Sequence, residues 1–410
     1  MTTGVGEPRS KRVIGEGLST HRNSLNFLRL VLASIVLVSH AAGLAHFRRA
    51  AMIVNGTSAA QLSLYGFFAI SGYLIAQSAM RTRPMGYLWR RCLRIFPGLI
   101  VCTLVTAFGI GLLAWWWTAK PGCSLGCYFG ATDSPTMYVV KNSLLANPYW
   151  TQYTIAGLPN FSDYPGFWTW NASIWTLFYE FLCYLLLLAM SLVGMLRSRL
   201  SSLVAFAVLW GAIITIELTA SLDKQFNFFH FSVFESILRF SLIFLAGSIL
   251  FLYRDRVPDS GWLALASGLI FSFGALLPID GRVPTLEFTS IDLYLPFLAY
   301  PVLWLGLHLP FRSVGAKNDY SYGIYIYGWP VAQLLIMWHL PRFGSEIFLL
   351  MTLGFTVPLA IASWWLVERR SLRLKSLHLR RSGDRTPATS RSDESSADRR
   401  SNHDEGFDER

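Results

Sequence analysis

Long runs of apolar residues alternate along this chain with short polar segments that contain most of its arginines and lysines. Each run is close to the length of about 20 residues that an α-helix needs to cross the hydrocarbon core of a membrane. The expected fold class is therefore all-α, a polytopic membrane helix bundle with about ten transmembrane helices. The predicted spans are Phe27–Ala45, Gln61–Met80, Ile95–Trp117, Ala172–Leu196, Leu200–Ile216, Phe234–Tyr253, Trp262–Leu277, Leu293–Leu309, Tyr320–Leu340 and Ile347–Val367.

The composition agrees with a membrane protein. Of the 410 residues, 53% are hydrophobic and only 14% are charged, whereas soluble domains carry about 25% charged residues. The net charge of +11 raises the alternative of a nucleic-acid partner. The basic residues lie mostly in short loops and at both ends, however, as membrane topology requires. We therefore expect membrane lipids, and no nucleic acid, as partners.

The distribution of basic residues also predicts orientation. Loops rich in arginine and lysine alternate with loops that contain few, and the basic loops are expected to lie inside. Both termini are then cytoplasmic, and the long connection from Thr118 to Thr169 lies outside. We expect residues 1–23 to be a disordered cytoplasmic N-terminus without a removable signal peptide. Residues 24–376 form the transmembrane domain, and residues 377–410 form a disordered cytoplasmic tail because almost nothing in them is apolar.

Two cysteines stand close together in the outer connection. Cys123 and Cys127 would form a local disulfide in an oxidising compartment, and two free thiols are the alternative. Too few further ligands lie nearby for a metal site, so no metal is expected.

Arg29 and His40 are an ionisable pair within the first predicted span. Eleven residues of helix make about three turns, so both side chains lie on one stripe, roughly 16 Å apart along the axis. Ionisable residues inside a membrane usually face a cavity, a partner or a reaction. A lone histidine in a span is also often a packing residue, and the arginine on the same face favours the functional interpretation.

Glu180 is a second charge within a predicted span. If that span enters the membrane near Ala172, the carboxylate lies in the outer half, at a depth comparable with that of His40. The two residues could therefore meet in the outer half of the membrane, and a carboxylate that orients a histidine is a common general-base arrangement. The alternative is a structural carboxylate bonded to a neighbouring helix.

A basic cluster precedes the third span. Arg90, Arg91 and Arg94 follow Trp89, and the last two are three residues apart and share a helical face. Topology alone explains most clusters of this kind, and a clamp for the phosphates of a cytosolic cofactor is the functional alternative.

Taken together, these segments resemble the acyltransferase-3 family of bacterial membrane O-acyltransferases, from about Leu25 to Arg370. Five segments match in order: Arg29-x10-His40, Phe67-Phe68-Ala69-Ile70-Ser71-Gly72-Tyr73, Arg91-x-x-Arg94-Ile95-x-Pro97, Trp175-x-Leu177-x-x-Glu180 and Ser321-Tyr322-Gly323-Ile324-Tyr325. Two features depart from the family. Gly328-Trp329-Pro330 stands where many members have a histidine nearby, and we expect no counterpart of the hydrolase-like domain that is fused to some members.

The resemblance implies that an acyl group, most often acetyl from cytosolic acetyl-CoA, moves to a hydroxyl of an extracytoplasmic glycan in the bacterial inner (plasma) membrane. Whether it passes directly or through an acyl-histidine stays open. The expected catalytic residues are His40, Glu180 and Arg29. Those expected to bind coenzyme A are Arg90, Arg91 and Arg94, and those expected to bind substrate are Ser71, Trp175, Tyr179 and Tyr325.

Other function classes compete with this one. A proton- or anion-coupled transporter would use Arg29, His40 and Glu180 as its pathway, and a flippase or scaffold would need them only structurally. The acceptor is not evident from the sequence. Aromatic residues of the outer connection would suit stacking on sugar rings, and these are Trp150, Tyr153, Trp168 and Trp170. Aromatic residues are, however, also enriched at every membrane interface.

Overall fold

The computed structural model is almost wholly helical in the part of the chain that it describes. This part comprises residues 13–19, 23–47, 53–54, 57–118, 124–148, 153–155, 158, 169–222, 231–276 and 291–376. The predicted disordered tail, 377–410, lies outside the described residues. The described strands, β1 (Ile53–Val54) and β2 (Thr57–Ser58), form a short antiparallel ladder.

The helices follow one another with short connections. In chain order they are α1 (Ile14–Ser19), α2 (Leu25–Leu44), α3 (Ala59–Arg81), α4 (Pro84–Leu104), α5 (Gly111–Thr118), α6 (Leu125–Phe129), α7 (Pro135–Ser143), α8 (Trp175–Leu192), α9 (Arg199–Leu222), α10 (Phe231–Leu252), α11 (Gly261–Leu276), α12 (Ile291–Tyr294), α13 (Ala299–His308), α14 (Ser321–Met337), α15 (Ser345–Ser363) and α16 (Arg369–Arg373). Segments of π-helix join α4 to α5 (Val105–Ile110) and α15 to α16 (Trp364–Glu368). Short 3₁₀ segments are Ala172–Ile174, Met195–Arg197, Leu295–Leu298, Leu340–Phe343 and Leu374–Ser376.

Each predicted span coincides with a helix or with helices joined end to end. Seven of them, within the described residues, are long and apolar enough to cross a membrane. The three predicted spans that correspond to α11, α13 and α14 are shorter. The predicted fold class, a polytopic bundle of membrane helices, is confirmed.

Two glycines bring α3 and α10 into backbone contact. A Cβ atom added to Gly72 would overlap the carbonyl oxygen of Phe244, and one added to Gly247 would overlap that of Ala69. The Ser248 hydroxyl donates a hydrogen bond to the Gly72 carbonyl oxygen at 3.0 Å. Small residues allow membrane helices to pack this closely, because backbone contact replaces the hydrophobic driving force that lipid does not provide.

α2 and α14 lie side by side and run in the same direction. Arg29, near the start of α2, contacts Asp319, which precedes α14, and Gly328 packs on the Leu37 side chain further along both helices. α14 is buried along almost its whole length. The end of the bundle at which Arg29 and Asp319 meet is called the arginine end below.

The N-terminal segment that was expected to be disordered contains α1. The backbone amides of Ile14 and Gly15 donate hydrogen bonds to the carbonyl oxygens of Val257 and Arg254, at 3.1 and 3.0 Å. Ile14 and Leu18 lie four residues apart on one face, and both are buried. This apolar pair explains why the segment folds despite its polar surroundings in the sequence.

The described cysteines divide into two chemical states. Cys127 is disulfide-bonded, whereas Cys92, Cys102 and Cys183 are free thiols. Cys123 lies outside the described residues. The disulfide alternative is therefore the one that applies to Cys127.

Candidate functional site

A cavity with a strongly positive lining lies at the arginine end of the bundle. It encloses about 920 Å³, part of which is open to solvent. Six cationic side chains and two carboxylates line it, an excess of four positive charges when all are ionised. They are Arg29, Arg90, Arg91, Arg94, Lys317 and Lys375, with Glu180 and Asp319. We call this space the basic cavity.

The carboxylate of Asp319 binds two of these arginines, Arg29 and Arg94. Its Oδ2 accepts from Arg29 Nη1 at 2.9 Å and from Arg94 Nη2 at 2.6 Å. Its Oδ1 accepts from the hydroxyl and the backbone amide of Ser321, at 2.5 and 3.2 Å. Burial alone would raise the pKa of the Asp319 carboxyl, but Arg29, Arg94 and the Ser321 hydrogen bonds outweigh it and hold this pKa well below its usual range. Arg94 also lies 3.7 Å from the Glu368 carboxylate.

Arg90 and Arg91 are in a different situation. Within the described part of the chain neither forms an ion pair, and the buried Nε of Arg91 has no hydrogen-bond acceptor. The Arg91 guanidinium lies over the rings of Tyr87 and Tyr184, 5.9 and 5.7 Å from their centroids, a cation–π arrangement that holds the group in place. The charge of these two arginines is thus available to an anion.

The ammonium group of Lys375 is affected by the same excess of positive charge. Desolvation and repulsion from Arg94, Arg91 and Arg90 lower the pKa of its ammonium group. An anion bound in the basic cavity would oppose this repulsion and would itself be stabilised by it.

A second, narrower space continues from the basic cavity into the bundle. Its volume is about 540 Å³, part of which is open to solvent, and it shares Arg29, Ser71, Arg94 and Glu180 with the first. Its other walls are mostly apolar, and include Leu64, Phe67, Phe68, Ile95, Leu177 and Tyr325. We call it the inner channel.

The Tyr325 hydroxyl lies at the wall of the inner channel next to the start of α8. It hydrogen-bonds to the Thr176 hydroxyl and donates to the carbonyl oxygen of Ser173 at 2.5 Å. Tyr325 and Ser71, both expected to contact substrate, therefore line this channel. Trp329 lies one turn further along α14 and does not line the inner channel.

Glu180 lies where the basic cavity meets the inner channel, and it accepts a hydrogen bond from the Tyr184 hydroxyl. Helical periodicity places Thr176, Leu177 and Glu180 on the face of α8 that lines these spaces. Trp175 and Tyr179 lie on another face and line neither space. Their rings pack against Phe240 of α10, with centroids 5.7 and 5.3 Å away.

His40 lies further along α2 and lines neither space. Its imidazole packs edge-on against the Trp329 indole, with 5.0 Å between ring centroids. No hydrogen bond joins its ring nitrogens to any residue that the structure describes. The eleven residues from Arg29 put it about 16 Å from that arginine along the axis.

The expected proximity of His40 and Glu180 is not found among the described contacts, and the start of α8 explains why. Asn171 Nδ2 donates to the Ile326 carbonyl oxygen at 2.8 Å, so the chain enters α8 beside Ile326 and already inside the bundle. The predicted entry point, by contrast, lies at the membrane surface. Nine residues later, Glu180 has reached the level of Arg29.

Several residues of the site were missed in the sequence. Asp319, Tyr184 and Lys375 line the basic cavity, and Trp329 contacts His40. Asp319 offered a usable signal, since an acid directly before a buried span needs a partner. Among the aromatics expected to stack on sugars, Trp170 is completely buried, and the Lys141 ammonium group lies over the ring of Tyr153. Trp150 and Trp168 lie outside the described residues.

Comparison with known proteins gives one family. Residues 22–368 match the family model described as an acyltransferase domain. The chain is 27% identical over 378 residues to the O-acetyl transferase of Shigella phage Sf6. The aligned region covers 86% of this chain and 97% of the relative. It is also 27% identical over 385 residues to nodulation protein 10 of Rhizobium leguminosarum bv. viciae. This aligned region covers 88% of the chain and 96% of the relative. No solved structure matches the chain significantly.

Proposed function

The chain belongs to the acyltransferase domain family and is a membrane O-acyltransferase, and from this premise we propose that it moves acetyl groups from cytosolic acetyl-CoA to a hydroxyl of an extracytoplasmic glycan. The name of the phage relative, an O-acetyl transferase, supports acetyl as the group. The basic loops support a cytosolic arginine end under the positive-inside rule in the inner membrane of a bacterium.

The observation that carries the proposal is the pairing of a basic cavity with a narrow apolar channel. Coenzyme A has the same two parts, phosphate groups at one end and a thin pantetheine arm that ends in the thioester. Arg90 and Arg91, which have no counter-ion among the described residues, are suited to the phosphates. The inner channel is suited to the arm, because it is mostly apolar and offers hydroxyls such as that of Ser71.

Arg29, Arg94 and Glu180 have different roles in this arrangement. Asp319 already compensates the two arginines, so they are positioning residues that shape the junction between the two spaces. Glu180 presents a carboxylate at that junction and would repel phosphate. We infer that it keeps the phosphates in the basic cavity and thereby sets how far the thioester reaches.

His40 is the proposed general base. Tyr325 lies one helical turn, about 6 Å, before Trp329, the residue that contacts His40. A thioester that passes Tyr325 therefore reaches the level of the imidazole. His40 would accept the proton of the acceptor hydroxyl as its oxygen attacks the acetyl carbon, a contribution of about 10²- to 10⁴-fold to the rate.

The proposal is tested with labelled acetyl-CoA supplied to inside-out envelope vesicles from the native host. Wild type, His40→Ala and His308→Ala are compared at equal protein levels, because His308 is exposed on α13 and serves as the control. We expect label in a luminal glycan with wild type and with the control, and a loss of about 10²-fold or more with His40→Ala.

Two other outcomes contradict parts of the proposal. Equal labelling with all three proteins removes His40 from the mechanism. If wild type transfers no label although the acceptor is present, acetyl-CoA is not the donor. The labelled product also identifies the acceptor, which the geometry of the described residues does not specify.

A further inference from the structure

We propose that the indole N–H of Trp329 stabilises the oxyanion that forms when the acceptor hydroxyl attacks the acetyl carbonyl. The inference rests on the proposed function, since it assigns a second catalytic residue to the reaction for which His40 is the base.

Trp329 is held beside His40 by its helix. Gly328 packs directly on Leu37 of α2, where a Cβ atom would come within 2.9 Å of the leucine side chain. This close approach puts the next residue, Trp329, at the level of His40. The two rings meet edge-to-face at 67°, with centroids 5.0 Å apart, and Trp329 is 7% exposed.

The N–H group of Trp329 has no acceptor within the described part of the chain. Some other indoles satisfy this group: that of Trp210 donates to the carbonyl oxygen of Leu293 at 3.0 Å, and that of Trp364 donates to Asn318 Oδ1 at 3.1 Å. The buried indole N–H groups of Trp170 and Trp304 also have no acceptor among the described residues. Leaving a buried donor unpaired is costly, and such a group is often explained by a function. At Trp329 the unpaired donor is in ring contact with the proposed base.

The chemistry of acyl transfer favours a hydrogen-bond donor beside the acetyl carbonyl. As His40 removes the proton from the acceptor hydroxyl, the hydroxyl oxygen bonds to the acetyl carbon and the carbonyl electron pair moves onto oxygen. This negative oxygen accepts the hydrogen bond from Trp329. The tetrahedral intermediate then collapses, the C–S bond breaks, and the thiolate of coenzyme A takes up the proton from His40. A donor that is already oriented and buried, as that of Trp329 is, is especially effective at this step.

The test compares Trp329→Phe with wild type, using purified protein in lipid vesicles and the acceptor identified as above. Phenylalanine retains an aromatic ring beside His40 and removes only the donor and part of the indole. We expect kcat to fall about 10²- to 10³-fold with KM for acetyl-CoA unchanged. The control is Trp304→Phe, since the Trp304 indole N–H also has no acceptor among the described residues. Trp304 lies on α13 beside Gly261, and its substitution should leave kcat unchanged.

A second measurement does not depend on how much of the variant folds. Each protein is assayed with acetyl-CoA and with fluoroacetyl-CoA, and the ratio of the two rates is compared. Fluorine withdraws electrons and stabilises the oxyanion itself, so the loss caused by Trp329→Phe should be smaller with fluoroacetyl-CoA. A residue that only packs against His40 would change both rates equally.

The outcomes separate this inference from the proposed function. If wild type transfers no acetyl group, the proposed function fails. If wild type is active and Trp329→Phe retains most of its kcat, or shows the same rate ratio as wild type, the oxyanion role is wrong while the transferase stands. A shift in the pH profile of kcat without a change in the rate ratio would instead show that Trp329 only positions His40.

Discussion

Arg94 and Asp319 form an ion pair in which Nη2 and Oδ2 lie 2.6 Å apart, with 17% and 13% of their side chains exposed. The same carboxylate oxygen holds Arg29, so one acid fixes arginines from two helices at the mouth of the inner channel. Charges this deeply placed need their partner, since an uncompensated charge in such surroundings is strongly destabilising.

Asp319→Asn should therefore destabilise the protein, by about 3 kcal/mol, because it leaves two largely buried guanidinium groups without their shared counter-ion. Asp255→Asn is the control, since its ion pair with Arg199 is exposed and such pairs contribute about 0–1 kcal/mol. Thermal unfolding in detergent micelles measures both. A double variant with Arg94→Gln should lose less stability than the sum of the single variants; strict additivity would show that the pair does not stabilise the fold.

Arg91→Gln should weaken donor binding and leave the fold intact. The Arg91 guanidinium has no ion pair to lose within the described residues, and a hydrogen bond to a charged group contributes about 1.5–3 kcal/mol. KM for acetyl-CoA should consequently rise about 10- to 100-fold with little change in kcat, as expected when binding is lost equally from ground and transition states. Arg81→Gln, an exposed arginine at the end of α3, is the control and should match wild type. A fall in kcat with constant KM for Arg91→Gln would place Arg91 in the chemical step instead.

Much of this fold was predictable from the sequence because lipid imposes a simple rule. A helix that crosses the hydrocarbon must satisfy its backbone internally and expose apolar side chains, so each span appears as one apolar run. The helical stripe that links Arg29 to His40 was predictable for the same reason, since it follows from the period of a continuous helix. α1 was missed because only two of its apolar residues, Ile14 and Leu18, are needed to anchor so short a helix.

The site was less predictable, because it depends on how far separate helices are shifted along their axes relative to one another. The residue types around Glu180 indicated a buried carboxylate, but its depth was calculated from an entry point at the membrane surface. Asn171 is itself buried beside Ile326, which shifts the whole of α8 towards the arginine end. Such a displacement leaves no trace in the hydrophobic pattern. Lys375 and Asp319 reach the basic cavity by the same kind of tertiary placement.

Gly72→Ala should impair folding rather than catalysis. Its Cβ would overlap the carbonyl oxygen of Phe244, so α3 and α10 would have to separate, and overpacking of this kind costs about 1–3 kcal/mol or more. The control is Gly43→Ala on α2, where a Cβ would have no atom within 4 Å. Size-exclusion profiles and thermal unfolding in detergent should show a loss of folded protein for Gly72→Ala alone. A normal profile for that variant would mean that the contact between α3 and α10 can expand without cost.

Lys375 should make donor binding sensitive to alkaline pH. The pKa of its ammonium group is lowered from the 10.5 of a free lysine, so the group loses its charge at a lower pH than an ordinary lysine does. Because a bound phosphate favours the charged form, KM for acetyl-CoA should rise as pH increases through the lowered pKa. Arginine stays protonated throughout this range, and Lys375→Arg should therefore keep KM nearly constant. The donor's own groups titrate identically with both proteins, so the difference between the two pH profiles isolates Lys375. Identical profiles would mean that Lys375 does not interact with the bound donor, and the phosphates would then be held by the arginines of the basic cavity alone.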